Sequence, residues 1–376
     1  RYFLPIGKKG RKGKDCPPVP PPDRHCPNAL PWSKINGMKT EKNTPLRVVF
    51  SLDTEEEGLF SGHYARHNCG VRNIERLLRL APITDALGFP LTLFCSYTVL
   101  SSTPALRVLE TMRGRYGAEI GAHLHHWSTP PFGDCSQETA GTPERTDRMP
   151  RALLEARLES LLAKARSLLG EDPVSFRMGR WDLKRVLFPL LLAHGIHADS
   201  SVCPLRAHQG GADHFLAPAV PYWPMGRNVP FLEVPLTQIP LHPFLARLWY
   251  GRFRGRPALD RFHFLAALSP NPFWHGGPVM RLSARLLALR GGPVLSMFCH
   301  SSELMPGGSP HVPDEAAAAR VLGRIGNFLA WLRESMPVRG VTLGEVFREA
   351  WEEEHGQGSG LVCPERSSLS PADGDW

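Results

Sequence analysis

Two carboxylates two residues apart, Asp53 and Glu55, and two histidines two residues apart, His123 and His125, carry the strongest chemical signal in the sequence. Each pair follows a short apolar run of strand type, Leu46–Leu52 (LRVVFSL) and Ala118–Ala122 (AEIGA). In an extended chain residues i and i+2 project to the same side, so each pair converges at its strand's carboxyl end. Neighbouring carboxylates repel unless a cation lies beside them, and two imidazoles on one face suit a single divalent ion. Glu56 and Glu57, which follow, read as a solvated acidic loop. His126 points the other way if its strand persists, and takes the place of His125 if it does not.

Three further strand ends deliver polar groups. Phe176–Trp181 (FRMGRW) presents Arg177, whose planar fork can pair with a carboxylate and hold it ionised, or form an ordinary surface salt bridge. Asp199-Ser200-Ser201 follows another apolar run, and Met297–Leu304 (MFCHSSEL) brings His300. Five successive strand ends, each with a titratable or metal-binding group, predict a catalytic site.

The elements that must position these groups alternate from Pro45 onward. Strands are expected at 46–52, 91–95, 118–122, 174–178, 198–202, 231–236 and 294–298. Helices are expected at 71–87, from Pro104 through Met112, at 151–169, at 183–194, from Asp314 to Arg333, and after the capping box Thr342/Glu345. Repeated strand–helix units imply parallel strands with right-handed crossovers, hence an α/β barrel or a doubly wound sheet. In either, active sites lie at the carboxyl ends of strands.

The chain has 376 residues, 42% of them hydrophobic, ample for one large α/β domain over 45–355. Its net charge is +8, but residues 1–44, basic and proline-rich, hold a net +7. The body is then near neutral, so no basic face and no nucleic-acid partner are expected. Residues 1–44 read as a disordered extension, with the native start expected at Met38, and 356–376 as a flexible tail. No secretory signal or membrane span is visible, and the eight cysteines form no C-x-x-C pair, which points to a cytoplasmic protein with reduced thiols at Cys95 and Cys299. Trp223, Trp249 and Trp274 could line a sugar groove, but their spacing favours core packing.

Taken together, the clusters resemble the NodB-homology polysaccharide deacetylases over roughly Leu46 to Trp351. Asp53-Thr54-Glu55 is similar to the first motif of that family, EIGAHLHHWSTPPF (119–132) to the second, FRMGRW to the arginine motif, Asp199-Ser200-Ser201 to the fourth, and CHSSELMPGGSP (299–310) to the histidine motif. The resemblance implies a distorted (β/α) barrel and removal of N-acetyl groups from sugars. It implies Asp53 as general base, Glu55, His123 and His125 as ligands of one divalent metal, and Arg177 orienting Asp53. His300 would be the general acid, tuned by Asp199, and the backbone amide near Trp181 would help cradle the oxyanion. Two departures from the common pattern stand out. Thr54 fills the place of the second adjacent carboxylate, and Trp127 that of the usual second histidine. Zinc suits the ligand set, as do cobalt, nickel and iron. The alternatives are hydrolysis of another C–N bond, in a cyclic imide or ureide, or a carbohydrate-binding relative without catalysis.

Overall fold

A computed structural model of the protein describes residues 44–62, 64, 66, 70–132, 145–207 and 212–356. The proline-rich extension, the start at Met38 and nearly all of the C-terminal tail lie outside the described residues.

The chain runs β1 (Leu46–Thr54), α1 (Leu77–Ala86), β2 (Leu91–Ser96), α2 (Tyr97–Leu100), α3 (Thr103–Tyr116), β3 (Glu119–Leu124), α4 (Arg151–Leu169), β4 (Ser175–Met178), α5 (Leu187–Ala193), β5 (Ala198–Asp199) and β6 (Leu232–Glu233). There follow β7 (Ile239–Pro240), α6 (Pro243–Phe253), α7 (Phe262–Ala266), β8 (Ala267–Leu268), α8 (Gly277–Leu289), β9 (Val294–His300), α9 (Glu315–Ser335), β10 (Val338–Gly340) and α10 (Leu343–His355). Strands β1 to β6 pair in order and in parallel, with β9 on the other edge of β1 and β10 beside its start. The gap between β6 and β9 is bridged after β6. There Thr237 N donates to Ser296 O (2.9 Å), and Thr237 Oγ1 accepts from Ser296 N (2.8 Å). The result is a distorted, incompletely hydrogen-bonded (β/α) barrel, one of the two architectures that the strand–helix alternation allows.

Alternation along β1 sorts its side chains. Val48, Phe50 and Leu52 pack outward against the helices in the main core, while Val49 joins a second core that holds Phe347 and Trp351 of α10. Helix α10 so plugs one end of the barrel, and its start is closed by the expected Thr342/Glu345 capping box. Asp314 Oδ1 caps α9 by accepting from Ala317 N at 2.7 Å. The helix at 151–169 has the bounds read from its periodicity.

Other boundaries differ. The expected strand at 198–202 shrinks to a two-residue pairing because its polar end turns into the barrel mouth, where Ser201 binds Asp199, and that at 231–236 shrinks likewise, with Pro235 lacking the N–H that a ladder needs. The stretch 237–290 contains an antiparallel pair, β7–β8, and three helices that the sequence reading does not identify. Cys95, Cys203 and Cys299 are buried free thiols. Trp223 packs in the second core against Phe347 and Trp351, and Trp249 lies in a small cluster under α6, so packing is the role of both.

Candidate active site

The groups singled out by spacing meet at the carboxyl end of the barrel, around a cavity of about 240 Å³ lined by Asp53, Glu55, His123, His125, Trp181 and His300 among others. Asp53 is the last inward residue of β1. Its carboxylate accepts from Arg177 Nη1 at 2.6 Å, and Arg177 sits wholly buried on β4. Arg177 also donates through Nε to Ser200 O (2.8 Å), and through Nη2 to Ser51 Oγ (2.8 Å) and Ser200 Oγ (3.0 Å). Its guanidinium lies over Phe94, 4.3 Å from the ring centroid, and near Trp181. A buried ion pair is sustained only when its remaining donors are satisfied, and here they are. Burial alone would raise the Asp53 pKa. Arg177, through its charge and its hydrogen bond, and the neighbouring His123 and His300 together outweigh it, so the carboxyl stays below its usual range and ionised at neutral pH.

Glu55 lies just beyond the strand, its backbone amide donating to Ser301 Oγ and its carbonyl accepting from Asn73 Nδ2. Glu55 Oε2 is 3.3 Å from Nε2 of both His123 and His125, and the three side chains form a buried group whose ligand atoms all lie within 4.8 Å of one another. Tautomers decide whether the group fits a metal. Nδ1 of His123 donates to the Arg177 carbonyl (2.8 Å), and a carbonyl can only accept, so the neutral ring carries its lone pair on Nε2. Nδ1 of His125 faces Glu56 Oε1 at 3.0 Å, with the same consequence. Two imidazole lone pairs and a carboxylate aimed at one point repel one another unless a cation lies among them. A divalent ion fits this donor set. Without one a proton takes its place: burial would lower the His125 pKa, but Glu56 and Glu55 outweigh it and push it up to about 9.

Glu56 overturns the expectation of a solvated loop. It is fully buried, where it accepts from His125 Nδ1, Trp127 Nε1 (2.9 Å) and Ser96 Oγ (2.9 Å). Burial opposes its ionisation, yet the His125 charge and these hydrogen bonds hold its pKa down at about 2. The i, i+2 rule missed it because β1 ends at Thr54, after which the chain turns Glu56 towards β2 and β3. Glu57 is half-buried and accepts from the backbone amide of Arg72 at 2.6 Å. Thr54 Oγ1 bonds to Leu52 O, and His126 Nε2 lies 3.0 Å from Thr146 Oγ1, so neither belongs to the ligand group. Burial lowers the His126 pKa to about 3.

His300 enters from β9 with Nε2 3.6 Å from Asp53 Oδ2. Its Nδ1 donates to Glu303 Oε2 (2.9 Å), which also accepts from the His300 backbone amide. Burial lowers its pKa, but Glu303, Glu55 and Asp53 together push it up to about 10, so the ring is an imidazolium at neutral pH. The carboxylate that holds His300 is therefore Glu303, not Asp199. Its H-x-x-E spacing was the available signal: the same two residues form a capping box at the helical turn that follows β9. Asp199 lies deeper, accepting from Ser201 Oγ at 2.6 Å beside Glu233. Ser201 Oγ in turn accepts from Met178 N (2.8 Å), which fixes the chain entering Gly179-Arg180-Trp181.

That turn is tightly constrained. Arg180 and Trp181 both have positive φ (56° and 58°), a region that costs a non-glycine residue energy and that clusters at functional sites. A Cβ on Gly179 would stand 2.4 Å from Cδ2 of His125 and 2.6 Å from the Leu124 carbonyl, so only glycine lets the imidazole sit where it does.

No family model matches the sequence, and no curated protein matches it. Solved structures do. One, from Mycobacterium smegmatis and designated a polysaccharide deacetylase, is 16% identical with a TM-score of 0.50, over 85% of this chain and 96% of that one. Another, from Parabacteroides distasonis and designated a glycoside hydrolase/deacetylase, is 14% identical with a TM-score of 0.53, over 83% of this chain and 73% of that one. At such identities the likeness concerns the fold. This chain has the distorted (β/α) barrel fold of structures assigned to the polysaccharide deacetylases.

Proposed function

We propose that the protein is a metal-dependent hydrolase that removes the N-acetyl group from an N-acetylated sugar or polysaccharide. One observation carries the reading. An ionised carboxylate (Asp53) and an imidazolium (His300) face each other at 3.6 Å in the cavity that also holds the Glu55/His123/His125 group.

Amide hydrolysis needs a base for water, an acid for the departing nitrogen, and positive charge where the oxyanion grows. Asp53, kept unprotonated by Arg177, takes a proton from the attacking water. His300, kept protonated by Glu303, returns one to the leaving amine. A divalent ion held by Glu55, His123 and His125 would supply Lewis acidity and lower the pKa of water. Trp181 lines the same cavity, and its backbone amide is assigned to the oxyanion. Asp199 acts at one remove, through Ser201, on the turn that presents Trp181. Two histidines and one carboxylate suit zinc, with cobalt, nickel and iron as competitors.

The test is acetate release from N-acetylglucosamine oligomers by metal-stripped protein reloaded with each of these ions in turn. Metal-dependent release that vanishes in Asp53→Asn supports the reading. Equal release before and after stripping refutes the metal, and no release from any N-acetylated glycan with any ion refutes the activity.

A further inference from the structure

The expectation that the body carries no basic face fails at the segment between β6 and β9. From residue 234 to residue 302 the sequence holds eight arginines, no lysine and one acidic residue, Asp260. Asp260 is already committed to Arg206, at 2.7 Å and 3.1 Å. Arg247, Arg252, Arg254, Arg256 and Arg261 are exposed.

The same segment exposes large apolar side chains. Helix α6 is apolar on both faces. Ala246, Trp249, Tyr250 and Phe253 point inward to a small core, while Phe244 (64% exposed) and Leu248 (60%) point out. Arg247 and Arg252 of the same helix are exposed as well, so α6 presents large apolar and cationic side chains to solvent together. On α7, Phe264 is 73% exposed and Leu265 66%, and at the end of α8 Leu289 is 82% exposed. Hydrogen bonds bring these residues onto one surface. Leu241 N donates to Ala266 O at 2.9 Å, which places the start of α6 beside Phe264 and Leu265. Arg290 donates to the carbonyls of Pro240 and Leu241, which places Leu289 there too.

We infer that this face, formed by α6, α7 and the end of α8, docks the protein on an anionic lipid surface. Aromatic and leucine side chains together with arginines that have no carboxylate partner among the described residues match a bilayer interface, where the apolar groups enter the acyl boundary and the guanidinium groups meet phosphates. Charge complementarity selects this occupant. A second copy would set the same arginines against themselves, and a nucleic acid could stack only on Phe244 and Phe264, leaving Leu248, Leu265 and Leu289 uncovered. The face is distinct from the catalytic cavity, and the inference stands whether or not the proposed reaction is correct.

The test is co-sedimentation of the full chain with vesicles of equimolar phosphatidylglycerol and phosphatidylcholine, compared with phosphatidylcholine alone. Binding to the anionic vesicles that falls with added salt is expected. Phe264→Ser with Leu265→Ser should abolish most of it. Arg252→Ala with Arg256→Ala should weaken it roughly 25-fold, from about fivefold per arginine. All four side chains are exposed, so circular dichroism and melting should match the parent. Because the basic N-terminal segment is identical in parent and variants, their difference reports this face alone. Unchanged binding in either double variant, equal binding to neutral vesicles, no vesicle binding by the parent, or a parent dimer that Phe264→Ser dissociates would each overturn the proposal.

Discussion

Replacing Glu303 with Gln tests the acid end of the site with least disturbance. The amide keeps an oxygen to accept from the His300 ring and backbone, and only the charge is lost. The carboxylate lies 2.9 Å from Nδ1. Two unit charges about 4 Å apart at an effective dielectric of about 20 interact by roughly 4 kcal/mol, close to three pH units. The His300 side chain is 21% exposed, so solvent takes a share, and a fall of roughly one to two pH units is expected. The sign follows from the role. A general acid must be protonated, so the alkaline limb of the pH–rate profile moves to lower pH while the acid limb, set elsewhere, stays. The assay is kcat/KM for acetate release against pH, with the His300 resonance titrated by NMR in parallel. An alkaline limb that stays in place while the NMR pKa drops would show that His300 is not the acid. An unmoved NMR pKa would show that Glu303 does not hold its proton.

Three other outcomes follow from the same geometry. Glu56→Gln should lower metal affinity roughly 10- to 100-fold although all three proposed ligands remain, because His125 loses its charged partner; competition with a chromogenic chelator measures it. Gly179→Ala should act on the same ligand by pushing the His125 ring aside. It should lower metal content more than it lowers the melting temperature, whereas an equal loss of both would mean general misfolding. Burial and the adjacent Asp199 raise the Glu233 pKa well above normal, so Glu233 keeps its proton in the fold. The unfolded chain releases that proton near 4.5. This group's contribution to stability is therefore full below about pH 4 and is lost as pH rises towards the folded pKa. Glu233→Gln removes the loss, so urea melts should show the variant gaining on the parent as pH rises from 4 to 7; a constant difference would show that Glu233 does not keep its proton in the fold.

Much of the site was readable in the sequence because it is written at strand ends. A strand has a period of two and the barrel is parallel, so Asp53, Glu55, His123, His125, Arg177 and His300 had to arrive at one rim wherever the strands lay within the sheet. The pairings across that rim are another matter. That Glu56 as well as Glu55 faces His125 depends on where β1 stops hydrogen bonding and which way the next two residues turn. Glu303 rather than Asp199 holds His300 because the chain leaving β9 folds back on its own backbone amide, while Asp199 looks down towards Ser201 and Glu233. Helix α6 was missed for a related reason. Its apolar residues fall on both faces, so the covered stripe does not stand out in the sequence, and only the packed structure separates Trp249 and Phe253, which are covered, from Phe244 and Leu248, which are not. Composition and periodicity thus determined the elements and the rim where chemistry gathers. Apart from the local His300–Glu303 pair, which charged group neutralises which, and which apolar face is left to solvent, were decided by contacts between residues far apart in the chain, and local sequence carries no record of those distances.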